Sequence, residues 1–328
     1  MIFVCARHNP APRAYFWKVA STMYGALALL VTLAVLPAAV SADSIATPKP
    51  TSSPGPSATA APSLSAPPEA ADDPCGGSTR LLASLDRPTV GFSTCVAPVG
   101  SAILEEGYQI NTQGGPAASV SSTYPQGFQR FGILPRLEID LIGPNFNRVR
   151  SDAGISSGFS DLGVGFKYQF QQKTKVQWAV DALLTAATEA SAFTAGAPTE
   201  QLNLNIAYPL SANVGIGTTI GFASTSGAPS NGGAATASST APTYSRYGAI
   251  VPSIVVTDQI NHLTQLYAEY VNPTKIAPDL GGRSFTDFGI QRLFGQYVEV
   301  DAEYGIDFTP IQGSRFRYVG LGFGLYIK

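Results

Sequence analysis

Residues 162–170 read Leu-Gly-Val-Gly-Phe-Lys-Tyr-Gln-Phe, and every second side chain from Leu162 onward is apolar. Residues 201–210 and 214–222 repeat the alternation, with polar residues or glycine at most of the intervening positions. Successive side chains of a β-strand point to opposite faces, so each stretch predicts a strand with one apolar face. No helical periodicity interrupts this pattern from Val99 to the C-terminus, which indicates an all-β fold.

Twelve stretches of this kind follow one another, and the connections between them alternate between short and long. Outer-membrane barrels have short periplasmic turns and longer outside loops. The pattern therefore predicts an antiparallel transmembrane β-barrel of about 12 strands, of the bacterial outer membrane type, with both of its termini on the periplasmic side. We expect strands at residues 101–111, 127–133, 137–143, 159–170, 175–187, 200–210, 213–224, 244–256, 262–271, 284–294, 297–307 and 315–327. Long loops are expected at residues 112–126, 144–158, 188–199, 225–243, 272–283 and 308–314.

A soluble β-sandwich is the alternative to this barrel. The chain is 45% hydrophobic and only 13% charged, yet it has no long apolar segment after its N-terminal region. Such a composition is expected when alternate apolar residues face lipid. Aromatic rings near strand ends favour an interfacial girdle over a buried core. These rings belong to Tyr168, Phe170, Tyr208, Phe294 and Tyr326.

The N-terminal region has the features of an export signal. Three basic residues precede an apolar run from Gly25 to Val40, and small residues follow at 40–42. We predict a signal peptide at residues 1–42, with a retained membrane anchor as the alternative. Residues 43–73 are rich in Pro, Ser and Ala and predict a disordered linker. A closed periplasmic segment at 74–98 is expected to lie at the periplasmic mouth of the barrel or to plug it in part, with Leu81, Leu82, Leu85 and Val90 able to pack there. The barrel at 99–328 completes the predicted organisation.

Two cysteines remain after removal of the signal peptide, Cys75 and Cys95. An even pair in an exported protein predicts a disulfide, and free thiols are the alternative. A metal site is not expected, because two cysteines without a nearby histidine lack the four ligands of structural zinc. The chain without residues 1–42 carries 17 Lys+Arg and 22 Asp+Glu, a formal charge of −5, which argues against nucleic-acid binding.

If the apolar faces meet lipid, the opposite faces line the lumen. One reading is a net acidic pore that favours cations or neutral polar solutes. The other is a network of ion pairs that fills a barrel of intermediate width. The ladder of Glu299, Asp301 and Glu303 is the most charged part of this surface. The lumen-lining candidates are Arg130, Glu138, Asp140, Asp161, Lys167, Asp181, Glu269, Asp287, Glu299, Asp301 and Glu303. Glu105, Lys175 and Arg246 are further candidates on the same predicted faces.

Four local features do not fit the regular pattern or suggest another function. Glu106 falls on the face assigned to lipid, and Pro252 predicts a bulge because it cannot donate a ladder hydrogen bond. His262 is the lone histidine of the mature chain and lies near a predicted periplasmic turn, so we do not expect an enzyme. Besides a channel and an enzyme, a third class of function is an adhesive or structural barrel. It would act through the 225–243 loop, whose low charge and lack of aromatic residues make it a poor binding hot spot.

Three segments resemble a known family. They are the stretch from Gly158 to Phe170, the hairpin Arg130-Phe-Gly-Ile-Leu-Pro-Arg-Leu-Glu-Ile-Asp-Leu141, and the end Gly320-Leu-Gly-Phe-Gly-Leu-Tyr326. Over roughly residues 95–328 the chain is similar to the "MetA-pathway of phenol degradation" family of outer-membrane transporters. The resemblance implies a channel for small organic or aromatic compounds, and it carries over no binding residues. The chain departs from usual outer-membrane strands by ending in Ile327-Lys328 rather than an aromatic residue.

The sequence thus predicts passive or facilitated diffusion of small solutes through a barrel in the bacterial outer membrane, without a cofactor or catalytic residue. The expected partners are outer-membrane lipid, the solutes and the barrel assembly machinery. A non-conducting structural or surface-interaction barrel is the alternative.

Overall fold

The computed structural model of the chain describes residues 75–76, 80–115, 118–170, 175–188, 193–227, 244–311 and 313–328. The predicted signal peptide and linker lie outside these described residues. Within them, one short helix precedes seventeen strands. They are α1 (Arg80–Ser84), β1 (Ala102–Gln113), β2 (Ser119–Tyr124), β3 (Phe128–Leu134), β4 (Leu137–Ile142), β5 (Phe146–Ser151), β6 (Gly154–Phe159), β7 (Leu162–Gln169), β8 (Gln177–Ala186), β9 (Thr199–Pro209), β10 (Val214–Gly227), β11 (Ser245–Asn261), β12 (Thr264–Val271), β13 (Lys275–Ala277), β14 (Leu280–Gly281), β15 (Phe285–Phe294), β16 (Val298–Asp307) and β17 (Phe316–Ile327). No helix in the described part of the chain is long and apolar enough to cross a membrane.

Twelve strands form a closed antiparallel barrel, and this confirms the predicted fold. Its order is β1-β3-β4-β7-β8-β9-β10-β11-β12-β15-β16-β17. β17 pairs back with β1 from Ala102↔Ile327 to Gln113↔Phe316, so the last strand closes on the first. Closure satisfies the backbone groups that an open sheet edge would expose to lipid.

The alternation seen in the sequence places apolar side chains outside and polar ones inside. On β7, Phe166 is 50% exposed, whereas the neighbouring Lys167 is fully buried. On β9, Leu202 is 49% exposed, whereas Asn203 is fully buried. This arrangement is the reverse of a soluble sandwich and is the arrangement expected of a barrel surrounded by lipid.

Three of the predicted long loops contain strands. The loop 272–283 holds the short β13–β14 hairpin, which pairs apart from the barrel sheet. Residues 112–126 and 144–158 were expected to be loops, but β2, β5 and β6 lie within them. β2 pairs with the end of β1, β5 with β2, and β6 with β5, so the wall rises above the barrel on this side. Polar residues occur on both faces of these strands, so the apolar alternation that predicts a strand is weak here. The backbone pairs all the same, because strand pairing does not require that alternation.

The region around β11 also differs from the prediction. The strand continues to Asn261, and the turn lies at residues 262–263 rather than 257–261. The predicted bulge at Pro252 is wrong, because the β10–β11 register passes through it without a shift. The carbonyl of Pro252 accepts from Asn272 N on the β12 side, and the N and C=O of a strand residue point the same way. The missing N–H therefore costs no bond to β10.

Aromatic side chains lie on the outer surface near both ends of the barrel. Tyr168, Phe170, Tyr208 and Phe294 are 38–59% exposed near the end with the short turns, as expected for a girdle. Tyr326 was expected to join them but is only 6% exposed. It faces inward because β17 alternates there, and its ring stacks on Tyr297 with centroids 6.0 Å apart.

Candidate functional site

Residues 80–98, here called the inner segment, lie inside the barrel at the end with the short turns. Three leucines of this segment, Leu81, Leu82 and Leu85, are at most 5% exposed. They pack in one apolar cluster with the inward-facing side chains of Ile103, Leu293 and Tyr326. Beyond this cluster, nearly every anchor of the inner segment is polar.

A disulfide joins Cys95 of the inner segment to Cys75, with Cα atoms 5.5 Å apart. Cys95 itself is 2% exposed and lies within the barrel. The bond therefore ties the described residues before α1 to the buried end of the inner segment. Val90, expected to pack in this closed unit, is instead 39% exposed.

Arg130 of β3 is the largest fully buried side chain and connects the wall to the inner segment. Its Nε donates to Glu138 Oε1 at 2.9 Å and its Nη1 to Glu105 Oε1 at 3.0 Å. Its Nη2 donates to the carbonyl of Cys95 at 2.7 Å, and its Nη1 also donates to the carbonyl of Ser84. One guanidinium thus contacts two wall carboxylates and two backbone positions of the inner segment.

Lys167 of β7 contributes the second buried cation. Its Nζ lies 2.7 and 2.8 Å from the two carboxylate oxygens of Asp86 in the inner segment. Asp86 Oδ1 also accepts from the backbone N of Ser93 at 2.7 Å. The ammonium group further lies 5.4 Å from the ring centroid of Phe92. Removing either charge would leave the other buried without its closest partner, which is costly.

Wall carboxylates accept hydrogen bonds from the backbone of the inner segment. Glu105 Oε2 accepts from the backbone N of Asp86 and Arg87, at 2.9 and 2.7 Å. Glu269 accepts from the backbone N of Val90 and Gly91, at 2.7 and 2.8 Å. Glu138 likewise accepts from the backbone N of residue 97. These bonds fix the main chain itself, so they do not depend on long flexible side chains.

The acidic ladder of β16 faces a cation that the inner segment supplies. Arg87 Nη2 lies 3.3 Å from Asp301 Oδ1 and 3.8 Å from Glu303 Oε1. The guanidinium lies against inward-facing glycines, since a Cβ at Gly107 or Gly322 would fall within 2.7 Å of it. Small residues on the inner wall therefore make room for the inner segment.

A polar chain crosses the opposite wall. Thr219 Oγ1 accepts from the backbone N of Phe92 at 3.0 Å and donates to Asn205 Oδ1 at 2.8 Å. The amide nitrogens of Asn205 and Asn203 donate to the two carboxylate oxygens of Asp181. Asp181 is thus buried without direct contact to the inner segment but is linked to it through two side chains.

Three further carboxylates face the interior. Asp287 accepts from the hydroxyl of Tyr318, while Asp140 and Glu299 accept no hydrogen bond from the described residues. All three are fully buried. In the described barrel, buried carboxylates outnumber buried Arg and Lys side chains, so the interior is net acidic.

Asp161 lies between β6 and β7 and holds a neighbouring connection. It accepts from the backbone N of Thr188 and Ala195 at 3.0 and 2.8 Å, and from Thr194 Oγ1 at 3.0 Å. Its role in the described structure is to fix this connection, at the opposite end from the short turns.

Two basic lumen candidates are placed elsewhere, and these expectations are wrong. Arg246 lies on the outer face, half exposed, 2.5 Å from Glu200 Oε2. Arg246 was assigned inward because its neighbour Tyr247 was taken to face lipid, as apolar residues do within the membrane. At this strand end Tyr247 faces inward instead, so Arg246 faces outward. Lys175 is exposed before β8 begins. Glu106 does lie on the outer face, where Gln129 Nε2 donates to it at 3.2 Å beside the break between β2 and β3.

The end of the barrel opposite the inner segment holds a cavity of about 280 Å³. It is lined by residues of β4, β8 to β11 and β13, about half of them apolar and half polar. The lining includes Leu183, Thr185, Gln201, Ala223, Tyr247 and Lys275. The inner segment therefore occupies one end of the lumen, and the described residues leave open space at the other.

The described residues hold no metal-like cluster of three or more His, Cys, Asp or Glu side chains. His262 is exposed in the turn between β11 and β12. Sequence reasoning missed Asp86 and Arg87 as interior residues, whereas the alternation of 214–222 already placed Thr219 on the polar face. The first two carry charge in a segment of mixed composition, and no periodicity connects them to the barrel wall.

Comparison with known proteins supports the fold. No family model matches the chain, and no curated protein matches it in sequence. Among solved structures, it is similar to the COG4313 outer membrane channel from Pseudomonas putida F1, with TM-score 0.52 and 14% identity over 70% of this chain and 96% of that one. It also matches the NanC porin, with TM-score 0.44 and 8% identity over 68% of this chain and 98% of that one. The fold is that of bacterial outer-membrane barrels.

Proposed function

We propose that the chain is an outer-membrane channel that passes small solutes by diffusion and belongs to the phenol-degradation type of transporter. The observation that carries the proposal is a closed barrel with an open cavity at one end and a separate segment at the other. A barrel that served only as a scaffold would need neither.

The orientation is part of the proposal. The short turns, the inner segment and the first and last residues of the barrel belong on the periplasmic side, and the raised wall of β2, β5 and β6 belongs outside. The support is the alternation of connection lengths, because outer-membrane barrels keep their short turns in the periplasm.

In this proposal the inner segment sets the passage. It is held by polar contacts rather than by a continuous apolar core, and polar contacts can be exchanged for water when the segment moves. The net acidic wall then favours cations and neutral polar solutes over anions. Small organic or aromatic compounds are the proposed solute class, and a cavity with apolar side chains such as Leu183 and Tyr247 beside polar groups is suited to them.

The inner segment fills one end of the lumen, and this favours a second candidate function, a non-conducting structural barrel. The two functions differ in a direct assay. Refolded full-length protein in planar bilayers and in liposomes would be compared with Glu269→Ala, which removes two anchors of the inner segment, and with Glu200→Ala as a surface control.

The channel predicts cation-selective current steps and liposome swelling with arabinose and benzamide, both increased by Glu269→Ala and unchanged by Glu200→Ala. Folding would be established separately by the heat-dependent gel shift of closed barrels. If all three proteins are folded and inserted but give neither current steps nor swelling with either solute, the channel proposal is wrong and the structural barrel is favoured.

A further inference from the structure

A row of aromatic rings crosses the outer face where the wall rises above the barrel. Tyr108, Tyr124, Phe146 and Phe159 stand on four consecutive strands, β1, β2, β5 and β6. Their ring centroids are 6.0, 5.3 and 5.3 Å apart from one neighbour to the next. Aromatic belts of this kind lie at the level of lipid headgroups, so the row marks the membrane interface.

Three arginines lie on the same outer face, on the side of this row away from the short turns. Arg148 and Arg150 follow Phe146 by two and four residues on β5, so they stand about 7 and 14 Å along the strand. Arg317 of β17 lies in register with Thr112 of β1, four residues beyond Tyr108. All three are exposed, and none takes part in an ion pair among the described residues.

The register brings the three arginines together. Arg317 pairs with Thr112, Thr112 with Val120, and Val120 with Arg150. Three strand spacings separate the outer two, about 14 Å. The other outward positions on β1, β2 and β6 in this patch are apolar or hydroxyl-bearing. Arg315 is a further exposed cation two residues before Arg317, and the nearby acidic residue Asp152 lies in the turn beyond β5.

We infer that Arg148, Arg150 and Arg317 bind the phosphate groups of lipopolysaccharide, the phosphorylated glycolipid of the outer leaflet. Guanidinium groups bind phosphate bidentately, and here they stand about 7 to 14 Å outward of the interfacial row, on the side where the phosphorylated sugars of this glycolipid lie. Hydroxyl groups of Ser122 and Thr112 lie between them and can donate to the same oxygens. The inference depends on the proposed orientation and is independent of whether the barrel conducts.

The test measures binding of lipid A to the full-length protein in detergent by native mass spectrometry. The triple variant Arg148→Gln, Arg150→Gln, Arg317→Gln is compared with wild type. A charge-matched control carries Arg136→Gln, Lys175→Gln and Arg292→Gln, three exposed cations near the opposite end. Lipid A without phosphates and inorganic phosphate serve as the two ligand controls.

Wild type and the matched control are expected to bind lipid A equally, while the triple variant binds at least about tenfold more weakly. Removing the lipid phosphates should reduce wild-type binding to the level of the triple variant. Equal loss in the matched control would show attraction by charge alone and overturn the inference. So would unchanged binding by a folded triple variant, or displacement of lipid A by equimolar inorganic phosphate. Conductance unchanged by the triple substitution would separate this result from the channel proposal.

Discussion

The contact between Glu269 and the inner segment allows a quantitative prediction. Its carboxylate accepts from the backbone N of Val90 and Gly91, at 2.7 and 2.8 Å, and is 1% exposed. A hydrogen bond to a charged group contributes about 1.5 kcal/mol at the low end of its range, so Glu269→Ala removes about 3 kcal/mol from the anchoring of the segment. Since about 1.4 kcal/mol is a factor of ten, the population of the released segment should rise about 100-fold.

Hydrogen exchange read by mass spectrometry measures this release directly. Peptides covering residues 86–98 should lose about 100-fold of their protection in Glu269→Ala, while barrel strands such as β9 keep theirs. Glu200→Ala, which removes an exposed outer carboxylate, should leave the inner segment unchanged. Unaltered exchange at 86–98 in folded Glu269→Ala would refute the reasoning that these two bonds hold the segment.

Three further changes act on the same segment. Asp86→Asn leaves Lys167 buried without its closest carboxylate, so the midpoint of unfolding in denaturant should fall by the equivalent of about 3 kcal/mol, and an unchanged midpoint would contradict this. Reducing the bond between Cys75 and Cys95 should speed hydrogen exchange before residue 95, while the barrel retains its heat-dependent gel shift. Loss of that shift would show that the disulfide stabilises the barrel itself. Gly132→Val places a Cβ 2.1 Å from a carbonyl oxygen of the inner segment, so it should raise conductance in a folded barrel, whereas wild-type current would mean that the wall yields instead.

Alternation alone predicted the barrel and the faces of its central strands. In the membrane-spanning part, lipid requires an apolar outer surface, so Phe166 and Lys167 are assigned correctly from their positions. The rule fails where the wall leaves the membrane. Arg246 faces outward and Tyr247 inward there, and β2, β5 and β6 alternate too weakly to be recognised.

The interior was predictable only on the wall side. The ladder of Glu299, Asp301 and Glu303 indicated a charged interior, and its like charges required compensation. The compensating Arg87 comes from a segment 214 residues away from Asp301, and local periodicity carries no information about that contact. The sequence left two places for the inner segment, the periplasmic mouth or a partial plug, and its contacts with the wall needed the three-dimensional structure.

A crosslink between the inner segment and the wall tests the central claim that this segment closes the lumen. Gly91 and Ser253 are suited to it, because a Cβ on Gly91 would lie 2.5 Å from Ser253 Oγ. In the full-length Gly91→Cys, Ser253→Cys protein, we predict no single-channel current while the new disulfide is formed, and wild-type current after it is reduced. Reduced wild-type protein is the control, because the reductant also breaks the native disulfide. Current of wild-type size through the fully crosslinked protein would contradict the account, because solutes would then pass while the segment stays in place.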